Sequence, residues 1–255
     1  VQSDELRKIW KSVSEEAESD ICKVLVGEGE FWEQILYKVI AEDNFGADRI
    51  DYLLRDAYYT GVGYGHFDFH QLIDTLRILP QGIGVSISGV QSVESLWIAR
   101  YMMFARVYHH PKLRVYTHHM NRFISGHFPA SWDLEIYLQQ TDYTILTLMA
   151  EEARRGDYDA CCLLKMEEPY QEIVLEDESK DEQLLNKYDG DLFVDYLKPT
   201  GGSREFGVVD EEQNLLSSKE ASSFIYEIPV GGKPLRLFVK PSKVDEIRTW
   251  LRAEA

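Results

Sequence analysis

The segment that most constrains this chain runs from Ala47 to Gly61, Ala-Asp-Arg-Ile-Asp-Tyr-Leu-Leu-Arg-Asp-Ala-Tyr-Tyr-Thr-Gly. Ile50, Leu53, Leu54 and Ala57 recur at i, i+3, i+4 and i+7, the core stripe of an α-helix. Asp48, Arg49, Asp51, Tyr52, Arg55 and Asp56 crowd the other faces. A merely solvated face carries Glu and Lys, which favour the helix. Aspartate disfavours it, so three within nine positions ask for a reason other than helix stability. Two readings stand: surface ion pairing with Arg49 and Arg55, or a site for chemistry.

The run Asp48-Arg49-Ile50-Asp51-Tyr52-Leu53-Leu54-Arg55-Asp56, with the Tyr-Tyr-Thr-Gly turn after it, resembles the last signature of the HD-domain phosphohydrolases. Within them it is most similar to the deoxynucleoside triphosphate triphosphohydrolases. The resemblance is close over residues 47 to 61 and looser to about residue 125. It implies that Asp48 is a metal ligand and that Arg49 approaches the substrate phosphates. It further implies that Tyr52 and Asp56 line the sugar pocket. Arg106 and His110, four residues apart, resemble an Arg and a His that reach the phosphates in the relatives. Arginine suits that task because its planar fork meets phosphate oxygens two at a time. The implied cofactor is a divalent metal, Mg²⁺ or Mn²⁺, with iron or nickel as further options. The implied reaction converts a deoxynucleoside triphosphate to the deoxynucleoside and inorganic triphosphate.

The family's other ligands, a His and a His-Asp pair, have no counterpart. The chain contains no His-Asp dipeptide, and its first histidine is His66, downstream of the motif. With Val1 rather than Met at its start, the chain is expected to be the C-terminal part of a longer protein. The alternatives are a catalytically incomplete nucleotide-binding or scaffolding module and an HD phosphohydrolase for another phosphate ester.

A net charge of −17 argues against a general nucleic-acid surface, which needs clustered Lys and Arg. The charge is uneven. From Ser95 to Trp132 there is no Asp or Glu, while Arg100, Arg106, Lys112, Arg114, Arg122 and five histidines fall in that stretch. Such an island reads as a local anion site for a nucleotide substrate, or as a basic helix paired with acids elsewhere. No apolar run is long enough for a membrane span. Three cysteines, Cys22, Cys161 and Cys162, form no disulfide framework, so reduced thiols in a cytoplasmic protein are expected.

Periodicity and breakers predict helices over 4–18, about 30–43, 47–59, 67–79, from an N-cap at Ser92 towards His110, and over 141–155. Pro111 should end or kink the fifth of these, with a further helix to Ile124. Arg106, His110 and Arg114 would share a face only if that helix were continuous. Short strands are predicted at 83–88, 172–175 and 192–197, a hairpin at 224–239 turning on Gly231-Gly232, and a closing helix over 244–251 capped by Ser242. Asp189, Asp191 and Asp195 read as solvated acids. The expected fold is mainly α: an HD-domain helical core over residues 1–157 with a small α+β appendage over 158–255. The appendage's exposed strand edges are expected to pack on the main domain or on a second subunit, and a homo-oligomer is expected.

Overall fold

The computed structural model describes residues 4–42, 44–166, 169–175, 181–188, 190–196, 204–229 and 236–253. These residues are mainly helical, as expected, with two small sheets. They form two compact units, and both are discontinuous in sequence. The first takes residues 1–104 and 200–231, the second 105–199 and 232–255. A division at residue 157 therefore falls inside the second unit. The chain passes between the units three times, after residues 104, 199 and 231, at points that composition alone does not mark.

The first unit opens with α1 (Asp4–Val13), α2 (Ala17–Val26) and α3 (Phe31–Ala41). The single helix predicted over 4–18 is thus two. The break comes at Ser14-Glu15-Glu16, where Ala17 N–H bonds back to the Ser14 carbonyl. The motif forms α4 (Ala47–Thr60), which buries Ile50, Leu53 and Ala57. Leu54 is half-buried. α5 (Phe69–Thr75) is capped by the Asp68 carboxylate, which accepts from the Gln71 N–H.

The helix predicted to continue to Leu79 stops at Thr75. Leu76–Leu79 is instead strand β1, antiparallel to β2 (Gly82–Ser86), with Leu79 opposite Gly82. Leu72, Leu76 and Leu79 satisfy a helical period, but Pro80 pushes Leu79 towards extended backbone, and pairing with β2 supplies the missing hydrogen bonds. β2 also pairs in parallel with β5 (Gly207–Val209), which pairs antiparallel with β6 (Leu215–Ser217). α6 (Val90–Met103) starts before Ser92, which lies buried inside the helix rather than at its cap. α12 (Ser218–Ala221) and α13 (Phe224–Glu227) complete the unit. Phe224–Glu227 is a short helix and not the first arm of a hairpin. Buried Arg204 holds its C-terminal end by donating to the Ile225 and Ile228 carbonyls at 2.6 and 2.7 Å. The Gly231-Gly232 turn lies outside the described residues.

The second unit begins within a π-helical turn, Phe104–Tyr108. α7 (Pro111–His127) follows, with Pro111 in its first turn, where a proline lacks only an N–H that would be unbonded anyway. Pro111 thus starts a helix. α8 (Leu134–Leu138), α9 (Asp142–Arg155) and α10 (Tyr158–Lys165) follow, α9 capped by Thr141. A three-stranded antiparallel sheet places β7 (Arg236–Val239) between β3 (Gln171–Val174) and β4 (Leu192–Asp195). Leu237 and Val239 of β7 pack with Ile173, Leu192 and residues of α11 (Asp181–Lys187) and α14 (Val244–Ala253). Ser242 sits in a 3₁₀ turn ahead of α14.

Candidate active site

The site residues expected from the sequence divide between the units. Asp48, Arg49, Tyr52 and Asp56 lie on α4 of the first; Arg106 and His110 belong to the second. On α4, Asp48, Tyr52 and Asp56 stand at i, i+4 and i+8, one line along the helix. Asp48 is exposed, and Tyr52 and Asp56 are half-buried. The line is anchored by the local backbone. Gly46 is the N-cap, and a Cβ there would come within 2.7 Å of the Glu42 backbone and 2.8 Å of Asp48 Oδ1. Only glycine lets the chain turn this tightly beneath the Asp48 carboxylate. Asp48 Oδ1 accepts the Arg49 N–H at 2.7 Å, in the helix's first turn, where a negative charge meets the positive end of the dipole. Arg49 Nε donates to the Glu42 carbonyl at 2.9 Å, tying the motif to the preceding loop. Arg55 pairs with Asp51 across the solvent-facing side. Surface ion pairing therefore accounts for Asp51, while Asp48 is engaged by the backbone N–H of the helix start.

The basic island fares differently. Arg114 forks onto Asp195 with Nε–O distances of 3.0 and 3.1 Å and an Nη2–O distance of 2.6 Å. Arg236, fully buried, donates to the same carboxylate at 2.7 Å and to the His109 carbonyl at 2.7 Å. Asp195 is a buried acid inside this ion network and not a solvated one. Burial pushes its carboxyl upward, but the hydrogen bonds and charges of Arg114 and Arg236 outweigh that and hold it below the usual range. His119 is wholly buried, its Nδ1 2.7 Å from Asp159, whose other oxygen accepts Arg122 Nε at 3.0 Å. His118 stacks on Phe193 at 3.7 Å, and burial drives its pKa down to about 4. In the first unit, Arg100 lies over the Trp97 ring.

Most of the island thus builds the interior. Arg106 and His110 are the members that stay exposed without an ion pair among the described residues. The π-turn ends the continuous face on which their spacing was read. Arg106 lies within that turn, and His110, in extended backbone, caps α7 through Nδ1, which accepts the Lys112 N–H at 3.3 Å.

Among the described residues no group of three His, Cys, Asp or Glu side chains is placed to hold a metal. Asp48 alone, with its oxygen turned to a backbone N–H, does not make a divalent-cation site. No helix of the described residues is long and apolar enough to cross a membrane, and all three cysteines are free thiols.

Residues 67–194, half of the chain, match the family described as the HD associated region, and the chain belongs to that family. The match begins after α4 and takes in Arg106 and His110. Over 110 residues the chain is 34% identical to the uncharacterized protein YwfO of Bacillus subtilis, covering 43% of this chain and 25% of that protein. Over 82 residues it is 40% identical to the uncharacterized protein MJ1154 of Methanocaldococcus jannaschii, covering 31% and 18%. The alignments thus span a quarter or less of these relatives' lengths. Among solved structures, a hypothetical protein from Aquifex aeolicus superposes with a TM-score of 0.81 at 26% identity, over 97% of this chain and 68% of that one. A phosphohydrolase from Bacteroides thetaiotaomicron superposes with a TM-score of 0.68 at 16% identity, over 92% and 70%, and shares the fold.

Proposed function

We propose that this chain works as part of a metal-dependent HD-type phosphohydrolase. Its proposed reaction takes a deoxynucleoside triphosphate to the deoxynucleoside and inorganic triphosphate. The observation that carries the reading is the α4 line of Asp48, Tyr52 and Asp56. Three groups suited to a cation and a sugar are set along one face, on a helix end that only Gly46 permits. Membership of the HD associated region family and a phosphohydrolase of the same fold support the class.

In this proposal Asp48 offers one carboxylate to a Mg²⁺ or Mn²⁺ ion, whose other ligands come from outside the described residues. Tyr52 and Asp56 hydrogen-bond the deoxyribose and fix its orientation. Arg49 and Arg106 balance the charge that grows on the departing triphosphate. His110, exposed and with its Nδ1 accepting the Lys112 N–H, serves the same anion. We further propose a homo-oligomer acting in the cytoplasm.

The test is hydrolysis of the four canonical deoxynucleoside triphosphates with Mn²⁺ or Mg²⁺, following inorganic triphosphate by ion chromatography. Release that disappears in Asp48→Ala supports the reading. Release that survives the substitution removes Asp48 from the chemistry. A specific observation favours a second reading, a nucleotide-binding module without turnover: the lack of a metal-binding group among the described residues. It predicts nucleotide binding that Asp48→Ala leaves intact.

A further inference from the structure

A cavity of about 440 Å³ opens within the first unit, with Lys38 of α3, Glu42, Asn44, Arg49, Gln81 and Glu205 in its walls. Asp48, Tyr52 and Asp56 take no part in its lining. Its informative group is Asn44, only 6% exposed. Asn44 Nδ2 donates to the Glu205 carbonyl at 3.3 Å, which fixes the orientation of the carboxamide, since an oxygen in that place would face another oxygen. The remaining atom, Oδ1, is buried and has no hydrogen-bond partner among the described residues. A buried acceptor left dry is destabilising, and native interiors rarely keep one.

The same cavity holds a cation with bonds to spare. Lys38 Nζ donates one hydrogen to the Gln81 carbonyl at 2.9 Å; an ammonium has three. Its place depends on Gly82, where φ is +136° and a Cβ would stand 2.2 Å from Nζ. The φ of Gly82 is what calls for glycine in the turn between β1 and β2, and the Lys38 ammonium lies against it.

We propose that the cavity binds a nucleoside monophosphate, its base amine donating to Asn44 Oδ1 and its phosphate taking the free hydrogens of Lys38. A buried neutral acceptor beside a cation calls for a ligand with an N–H donor and an anionic oxygen. A cavity of this volume lies in the range that takes drug-sized molecules and is larger than a free amino acid requires. The cavity shares Arg49 with the hydrolytic face proposed above but none of Asp48, Tyr52 and Asp56, and binding here does not need Asp48.

Calorimetric titration of the 255-residue chain with AMP, adenosine, purine riboside 5′-monophosphate and glutamate tests the assignment. AMP should bind, and purine riboside 5′-monophosphate, which lacks the exocyclic amine, should bind about tenfold more weakly. Asn44→Ala should erase that difference. Lys38→Met should weaken AMP about tenfold and leave adenosine unchanged. The ligand-side comparison needs no variant, and Lys38→Met leaves Asn44 and its bond to Glu205 in place, so a poorly folded Asn44→Ala does not blunt the test. Absence of AMP binding, equal affinity for AMP and purine riboside 5′-monophosphate, AMP affinity unmoved by Lys38→Met, or preference for glutamate would each overturn the proposal. AMP binding lost in Asp48→Ala would overturn it too, by returning the ligand to the hydrolytic face. AMP binding kept in a chain that hydrolyses nothing would leave this site standing while the proposed reaction falls.

Discussion

The α4 face and the basic island are the two charged regions of this chain that stand out in sequence, and folding treats them in opposite ways. On α4, Asp48 stays exposed at the helix start, and Asp51 is matched by a helix-surface pair with Arg55. In the island, Arg114, Arg122 and His119 are drawn into contacts with Asp195 and Asp159, acids some forty to eighty positions away in sequence. The contrast comes from residue type as much as from charge. Aspartate on a helix surface opposes the helix and has to be retained for some other reason. Arginine and histidine carry apolar stems and rings that pack as well as they pair, so a cluster of them is as good at building an interior as at meeting a ligand.

The sharpest way to break the comparison is Asp48→Ala. If the α4 face is there for chemistry, release of inorganic triphosphate should vanish, while the unfolding free energy from urea titration falls by no more than about 1 kcal/mol, the usual worth of a charge at a helix start. A stability loss of several kcal/mol with activity retained would make Asp48 a capping residue and nothing more. The mirror experiment is Arg236→Met. Removing one partner of a buried ion network leaves Asp195 under-compensated, and about 3 kcal/mol of stability should be lost. Equilibrium urea unfolding measures it. A loss under about 1 kcal/mol would show that Arg114 alone satisfies the acid.

Two arginines eight residues apart give a finer comparison. Arg106→Ala should weaken binding of a triphosphate by about tenfold, leave the nucleoside unaffected and shift stability by less than about 0.5 kcal/mol. Arg114→Ala should do the reverse, costing stability through Asp195 without a selective effect on triphosphates. Equal loss of triphosphate and nucleoside affinity in Arg106→Ala would remove it from the phosphates.

What could be read from the sequence was what depends on near neighbours. The α4 stripe, the helix read over 141–155 and the strand read over 192–197 follow from local spacing; the structure has the first two, and a strand over Leu192–Asp195. The discontinuous units do not follow from it, because residues 200–231 and 232–255 are separated by long-range pairing. β5 joins β2 across more than a hundred residues, and β7 inserts between β3 and β4, so these pairings join strands that are not neighbours in sequence. Leu76–Leu79 fits a helix and a strand equally until β2 is there to pair with it. The acid partners of the basic island were hidden for the same reason, since Asp195 gives no local sign that two arginines will converge on it. Asn44 shows the limit most plainly. An asparagine ahead of a glycine reads as a helix breaker, and only burial with one atom unmatched makes it a candidate ligand group.

The smallest effect expected is also the one that separates the island's aromatic packing from its ion pairs. His118 stacks face to face on Phe193 with the rings 6° from parallel, and burial, reinforced by the nearby charges of His119 and Arg122, lowers its pKa from 6.5 to about 4 against the opposing pull of Asp159 and Asp195. Between those two values the unfolded chain binds a proton at this position that the folded chain does not. Stability contributed by the neutral ring is therefore complete above about pH 6.5, falls as the pH drops, and is gone below about pH 4. Asp195 acts lower on the scale. Its carboxyl is held below the ordinary 3.8, so its contribution persists above that value and is lost only as the pH falls through the depressed one. His118→Phe keeps an aromatic ring on Phe193 and removes the titration. Unfolding free energies measured from pH 7 to 4 should then show a shallower slope than the parent, while the steep loss below that window remains. An unchanged slope would mean that His118 titrates alike in both states and that the stack contributes packing alone.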